Sequence, residues 1–142
     1  MNRSARLDEK DIKLIGILKN NSRTPFRVIA RELGLTEGAV RKRVKRLVDK
    51  GVIKRFTLDY VLPGEMRAII LVKTKSPIPV PEVSRGISRH PFVEKVVEVT
   101  GEYDIVAIAR ARGVDDINTL IDFIRGINGV ASTYTMIVLR EY

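Results

Sequence analysis

The sequence predicts an α+β protein of two small modules, the first helical and basic, the second mixing strands and helices without net charge. Apolar residues first recur at helical spacing, and later alternate in strand-like runs between two helical stretches. Residues 1–60 hold 16 Lys or Arg against 7 Asp or Glu, whereas residues 61–142 hold 10 of each, so the whole net charge of +9 lies in the first part. We therefore predict modules at residues 1–53 and 66–142, joined by a connecting strand and linker at 54–65.

Composition excludes several classes of protein. With 44% apolar and 30% charged residues, the chain has the balance of a soluble globular protein. The apolar run Ala68 to Val72 is too short to cross a membrane, and the start MNRSARLDEKD lacks the apolar stretch of a secretory signal, so we expect a cytoplasmic protein with no membrane partner. With no cysteine and only His90, we expect neither a metal nor a cofactor. The absence of glutamine beside abundant Lys, Arg and Glu indicates a thermophilic source.

Three helices are predicted in the first module. Asp8 can cap a helix from about Glu9 to Lys19, Thr24-Pro25 begins a second that ends at Gly34, and Thr36 caps a third that ends at Asp49. Their apolar stripes are Ile12, Leu14, Ile15 and Leu18, then Phe26, Ile29, Ala30 and Leu33, then Val40, Val44, Leu47 and Val48.

The second and third helices form a predicted helix-turn-helix. Only Gly34 and Leu35 separate them, and small Ala30 allows a close helix contact beside a glycine that can take positive φ. A solvated helix face would explain the basic run on the third helix equally well in isolation, but the run coincides with the helix that such a turn presents to the DNA major groove. We expect Thr36, Glu37, Ala39, Arg41 and Lys42 to lie near bases, and Arg43, Lys45 and Arg46 near phosphates.

The second module is predicted to follow the order β-α-β-β-α-β. A strand over Val52 to Tyr60 precedes it. Its own elements are a strand from Met66 to Thr74, a helix from Glu82 to Arg89, strands from Val93 to Val99 and Tyr103 to Ala111, a helix from Val114 to Ile127, and a strand from Val130 to Arg140. Duplicated β-α-β units form a four-stranded antiparallel sheet with both helices on one face, the ferredoxin-like arrangement. Because apolar residues on the other face would be left in water, we expect a symmetric dimer that packs sheet to sheet.

Four segments together resemble the leucine-responsive and asparagine-regulator (Lrp/AsnC) family, the feast/famine regulatory proteins. These are LDEKDIKLIGILKNNSR, RELGLTEGAVRKRVKRLVDKGVI, VVEVTGEYDIVAIARA and STYTMIVL, in this order along nearly the whole chain. The resemblance, with the composition, indicates an archaeal or thermophilic member. It implies a sequence-specific, DNA-binding transcription regulator with an amino-acid effector, and homodimers that assemble into tetramers or octamers.

The resemblance also implies where the effector binds, at the hairpin turn and a neighbouring subunit's last strand. Turn N–H groups can hold a carboxylate, and Asp104 or threonine hydroxyls can meet an ammonium or a polar side chain. The same residues would also suit an ordinary turn and strand. The matching residues are Thr100, Gly101, Glu102, Tyr103, Asp104, Thr133, Tyr134, Thr135 and Met136, with Asp122 as a further neighbour.

Three other functions compete with this interpretation. An enzyme could use Asp104, Glu102 and His90, but no phosphate-binding glycine loop, nucleophile elbow or metal-ligand spacing is seen, so we expect no enzyme activity. An architectural protein that coats DNA of any sequence, without an effector, needs only the basic charge and oligomer formation. RNA binding would favour a run of exposed aromatic residues, which the sequence lacks.

Overall fold

The structure, a computed structural model, describes residues 7–142 and consists of two compact units, divided in the sequence between Asp59 and Tyr60. Within the described residues, no helix is both long and apolar enough to cross a membrane. Each unit has its own apolar core.

The first unit contains the three predicted helices, α1 (Glu9–Asn20), α2 (Phe26–Leu33) and α3 (Glu37–Asp49). Their core is made of eight buried residues, Leu14, Leu18, Ile29, Ala30, Leu33, Val40, Val44 and Leu47. Two residues that the apolar stripes included are exposed instead, Ile12 at 60% and Val48 at 43%. On α1 the buried face runs through Asp11, Leu14 and Leu18, so a charged residue takes the inner position that the pattern gave to Ile12.

The turn between α2 and α3 has the geometry that a helix-turn-helix requires. Gly34 ends α2 in the left-handed region at φ 62°, and the Leu35 N–H donates to the Ala30 carbonyl at 2.8 Å. Ala30 is 5% exposed, as a close helix contact demands. Thr36 then caps α3, its hydroxyl accepting from the Ala39 N–H at 3.2 Å. The predicted helix-turn-helix is therefore confirmed.

The connecting strand predicted over Val52 to Tyr60, and again in the linker at 54–65, is wrong. Among residues 7–142 Met66 is the first strand residue, and the segment between α3 and Met66 is irregular. The N–H groups of Val52 and Ile53 donate to the Leu47 carbonyl at 2.9 and 3.1 Å, so these residues close the end of α3. The rest of the segment pairs with no strand among the described residues, and a strand requires a ladder partner.

The second unit is a four-stranded antiparallel sheet in the order β2-β3-β1-β4, and the α+β, ferredoxin-like fold is confirmed. Its elements are β1 (Met66–Thr74), α4 (Val80–Ile87), β2 (Val93–Glu98), β3 (Ile105–Ala111), α5 (Val114–Gly126) and β4 (Val130–Ile137). One face of the sheet packs on both helices, with Ile70 and Ile105 of the strands and Val83, Leu120 and Ile124 of the helices fully buried.

Several element ends differ from prediction, among them the start of α4, the start of β3 and the end of β4. Helix α4 begins at Val80 because Pro79 serves as its N-cap and Pro81 is tolerated in a first turn. Strand β3 begins at Ile105 because Tyr103 and Asp104 belong to the hairpin turn, where the Asp104 carbonyl accepts from the Val99 N–H at 2.9 Å. Strand β4 ends at Ile137, three residues before the predicted end.

The other face of the sheet carries an apolar row. In the register of β1 and β3, Ile69 lies opposite Ile108 and Leu71 lies opposite Val106. Their side chains point away from the helices, because residues that alternate with them along each strand are buried on the helix side. Tyr134 and Met136 of β4 continue the same face, and they are 55% and 39% exposed. We call this surface the open sheet face: Ile69, Leu71, Val97, Val106, Ile108, Tyr134 and Met136.

Candidate nucleic-acid interface and effector site

Helix α3 turns a polar face to solvent because its apolar residues recur at positions 40, 44 and 47 and are buried. Glu37, Arg41 and Lys42 are exposed on its first two turns, Ala39 is half-buried, and Thr36 is exposed at the cap. The residues expected near bases therefore lie on the N-terminal half of this helix, most of them exposed to solvent, as base reading in a major groove requires.

Arg41 is held only loosely on this surface. Its Nη2 donates to Glu37 Oε1 at 2.9 Å one helical turn away, and its guanidinium lies 5.3 Å from the centre of the Phe26 ring. Both partners of the ion pair are more than half exposed. Because such i,i+4 pairs contribute only about 0.3–0.5 kcal/mol, Arg41 can exchange Glu37 for DNA at little cost.

The remaining cations of α3 fall into two groups. Lys45 pairs with Asp49 at 2.7 Å and is 76% exposed, while Lys42 has no carboxylate within 4.0 Å in the part of the chain that the structure describes. Arg43 and Arg46 instead turn towards α1, where they contact Asp8 and Asp11. Arg43, Lys45 and Arg46 were all predicted to lie near phosphates, since helical spacing does not reveal an acidic partner some 35 residues away.

The pKa of Asp8 is lowered because the Arg43 guanidinium binds its carboxylate and the Asp11 N–H donates to it. The Asp8 carboxylate also caps α1, in a reciprocal box in which Asp11 accepts from the Asp8 N–H. One acidic pair thus begins α1 and binds α3.

Two further arginines that sequence analysis left out lie on α2. Arg27 and Arg31 are one helical turn apart and exposed, and no carboxylate lies within 4.0 Å of either among residues 7–142. Their i,i+4 spacing on a predicted helix was the sequence pattern that could have indicated a second basic surface.

At the predicted effector site, Asp104 is already hydrogen-bonded. Its Oδ2 accepts from the Thr74 N–H at 2.7 Å and from the Thr74 hydroxyl at 2.8 Å, and these bonds lower the pKa of the Asp104 carboxyl. Gly101 takes φ 123° at the tip of the turn, where Thr100 and Glu102 are exposed and Tyr103 is half-buried. The turn can offer Asp104 Oδ1 and exposed backbone groups to a ligand.

The β4 residues of the predicted site divide between the two faces of the sheet. Thr133 and Thr135 pair with Val72 and Ile70, whose side chains are buried on the helix side, and the Thr133 hydroxyl accepts from Arg125 Nε at 3.0 Å. Tyr134 and Met136 lie on the open sheet face, and Asp122 is exposed on α5. Side chains on opposite faces cannot line one compact pocket within a single chain.

A second ion cluster lies at one end of the sheet. Arg110, whose side chain is only 8% exposed, donates to Glu94 at 2.8 Å and to the Tyr60 carbonyl at 2.9 Å, and its guanidinium lies 4.4 Å from the Tyr60 ring centre. Arg67 pairs with the same Glu94 at 3.2 Å. Together the two arginines lower the pKa of Glu94 despite its desolvation. No local pattern in the sequence indicated this long-range cluster. Among the described residues, no three His, Cys, Asp or Glu side chains are grouped so that they could hold a metal ion.

Comparison with known proteins agrees with this division of the chain. A family model described as winged helix-turn-helix DNA-binding matches residues 7–54, and one described as Lrp/AsnC ligand binding domain matches residues 67–142. The HTH-type transcriptional regulator LysM of the archaeon Saccharolobus solfataricus is 48% identical to this chain, over 98% of this chain and 98% of that protein. The regulator of the same name from Sulfurisphaera tokodaii is 51% identical, over 97% of this chain and 99% of that protein. The crystal structure of MtbAldR matches with a TM-score of 0.87 at 26% identity, covering 99% of this chain and 96% of that one.

Proposed function

Because the chain belongs to the Lrp/AsnC family of transcription regulators, we propose that α3 reads DNA sequence and that an amino acid bound by the second unit is its effector. The observation that supports the first half most is the helix-turn-helix geometry, which leaves the N-terminal half of α3 polar, largely exposed and free of strong ion pairs.

In the proposed interface, Thr36, Glu37, Ala39, Arg41 and Lys42 approach base edges, and Lys45 approaches a phosphate. Arg41 suits base reading because its planar guanidinium can donate two hydrogen bonds to one guanine. Arg43 and Arg46 were also predicted from the sequence as phosphate ligands, but they form ion pairs with Asp8 and Asp11.

Replacing Arg41 by alanine tests the reading role. The loss on a selected operator should be about 1–3 kcal/mol if the side chain reads a base, and clearly smaller on a mixed-sequence duplex. Lys45→Ala is the matched control, because a phosphate contact should weaken both duplexes alike. Equal losses on both duplexes for Arg41→Ala would assign it to the backbone.

The proposed effector site combines the hairpin turn at 99–104 with β4 of a neighbouring subunit. The turn's exposed N–H groups suit a carboxylate, and Asp104 Oδ1 suits the ammonium of an amino acid. Strand alternation divides the β4 residues between the two sheet faces in every copy, so a neighbouring strand can offer either Thr133 and Thr135 or Tyr134 and Met136 to one pocket.

A thermal-shift screen of the twenty amino acids tests this, because a selective ligand stabilises the folded state. Asp104→Asn keeps an oxygen for Thr74 but removes the negative charge, so the shift should vanish; Glu82→Gln, an exposed acid on α4, should keep it. A full shift in Asp104→Asn would move the ammonium site elsewhere.

We further propose that a second copy covers the open sheet face, giving a homodimer that can assemble further into tetramers or octamers. A monomer would expose a row of apolar side chains that includes Tyr134 and Met136. Two-fold symmetry would also supply two α3 helices for two half-sites.

The alternative of a sequence-tolerant architectural protein is favoured by the same basic surface, in particular Arg27 and Arg31 on α2. It differs from the regulator in needing no preference among duplexes.

A further inference from the structure

Four charged side chains form a cluster between α1 and α3, which we call the Asp–Arg cluster: Asp8, Asp11, Arg43 and Arg46. Arg43 Nη1 donates to Asp8 Oδ2 at 2.6 Å and to Asp11 Oδ1 at 2.7 Å. Arg46 Nη2 donates to both oxygens of Asp11, at 2.6 and 2.5 Å. Two carboxylates and two guanidinium groups therefore balance in charge.

Burial separates this cluster from the other ion pairs of α3. Asp11 is fully buried, and the Arg43 side chain is 22% exposed. If Arg43 and Arg46 left for a DNA phosphate, the Asp11 carboxylate would stay buried without a partner, which is strongly unfavourable. The partners of Arg41 and Lys45 are more than half exposed and carry no such penalty.

We propose that Asp8 and Asp11 take the place of DNA phosphates for Arg43 and Arg46, so that both arginines position α3 against α1 and are withheld from the DNA backbone. The inference rests on the proposed function, in which α3 contacts DNA. It makes Asp11 a positioning residue and reduces the number of cations that α3 contributes to phosphate binding. The low pKa of Asp8 supports it, because that carboxylate stays ionised at neutral pH.

The salt dependence of DNA affinity tests this directly, because log K falls with log salt by about 0.9 for each phosphate neutralised. A change in fold stability alone does not alter that slope. For binding to a mixed-sequence duplex, Arg43→Gln should leave the slope unchanged. Lys45→Gln, which removes the cation that the proposed interface places at a phosphate and whose partner Asp49 is 59% exposed, should make it shallower by about 0.9 per protomer. A slope for Arg43→Gln as shallow as that of Lys45→Gln would overturn the inference.

A second variant works in the opposite direction and spares the core, because the Asp8 side chain is 51% exposed. Asp8→Asn leaves two guanidinium groups against one carboxylate, so one positive charge becomes available to a phosphate. The slope should steepen by up to about 0.9 per protomer, equal to about 3.5-fold in affinity over a fourfold range of salt. Glu9→Gln is the matched control: it makes the same charge change on the next residue, whose partner is Lys13 of α1. Identical slopes for Asp8→Asn and Glu9→Gln would contradict the withholding of Arg43.

The two variants separate the proposed DNA contact of α3 from the role of the Asp–Arg cluster. If Lys45→Gln leaves the slope unchanged, α3 is not at the DNA backbone and the proposed function is contradicted. If Lys45→Gln is shallower and Arg43→Gln equally so, only the role given to Asp8 and Asp11 is wrong.

Discussion

Single residues fix the sharp corners of both units. Gly34 at φ 62° makes the turn before α3, and Gly129 at φ 96° makes the turn before β4. A Cβ on Gly129 would lie 2.7 Å from the Cβ of Ile78 and 2.9 Å from Val83 Cγ2, whereas one on Gly34 would meet nothing within 4 Å. Conformation alone thus requires Gly34, while conformation and space together require Gly129.

Gly129→Ala should accordingly lower the free energy of unfolding by about 2–4 kcal/mol, from backbone strain and overpacking combined. Gly34→Ala, with strain only, should cost about 1–2 kcal/mol. Chemical denaturation of both variants measures the two values, and a smaller loss at Gly129 than at Gly34 would contradict the packing argument.

At the scale of elements, patterns within about one turn were predicted well. The caps at Asp8 and Thr36 and the Gly34 turn are read from adjacent residues, and the structure contains all three. What failed depends on distant partners: the buried Asp11 is paired with arginines on α3, and the segment predicted as a connecting strand has no partner strand in the part of the chain that the structure describes. Local sequence carries no information on either.

The Asp–Arg cluster is expected to stabilise the packing of α1 against α3. Asp11→Ala removes the carboxylate from two partly buried guanidinium groups and should lower the free energy of unfolding by about 2–4 kcal/mol, somewhat less than a fully buried pair because Arg46 is 42% exposed. Glu9→Ala, which loses an exposed pair with Lys13, should change stability little. Similar losses of unfolding free energy for both variants in urea denaturation would show that the cluster stabilises the fold no more than an exposed ion pair does.

For the whole molecule, the uneven distribution of charge predicted two units with different functions. The basic first unit matches a DNA-binding family model, and the neutral second unit matches a ligand-binding one. The four-stranded antiparallel sheet followed from the β-α-β repeat. The effector site was less accessible to sequence, since alternation along β4 separates Thr133 and Thr135 from Tyr134 and Met136, but only the register shows which pair lies on the helix side.

The proposed homodimer through the open sheet face can be tested by substitutions on the sheet. Ile108→Lys places a charge in the middle of the open sheet face and should convert the proposed homodimer to a monomer in light scattering. Asn118→Lys makes the same change of charge on the exposed surface of α5 and should keep the dimer mass. An unchanged mass for Ile108→Lys would mean that the sheet is not the interface.

The affinity of the unmodified protein for two duplexes tests whether this regulator reads DNA sequence through α3. At one salt concentration near the physiological value, it should bind an operator selected from random sequence at least about a thousandfold more tightly than a mixed-sequence duplex of equal length. Equal affinity for the two would contradict sequence reading and leave an architectural DNA-binding protein.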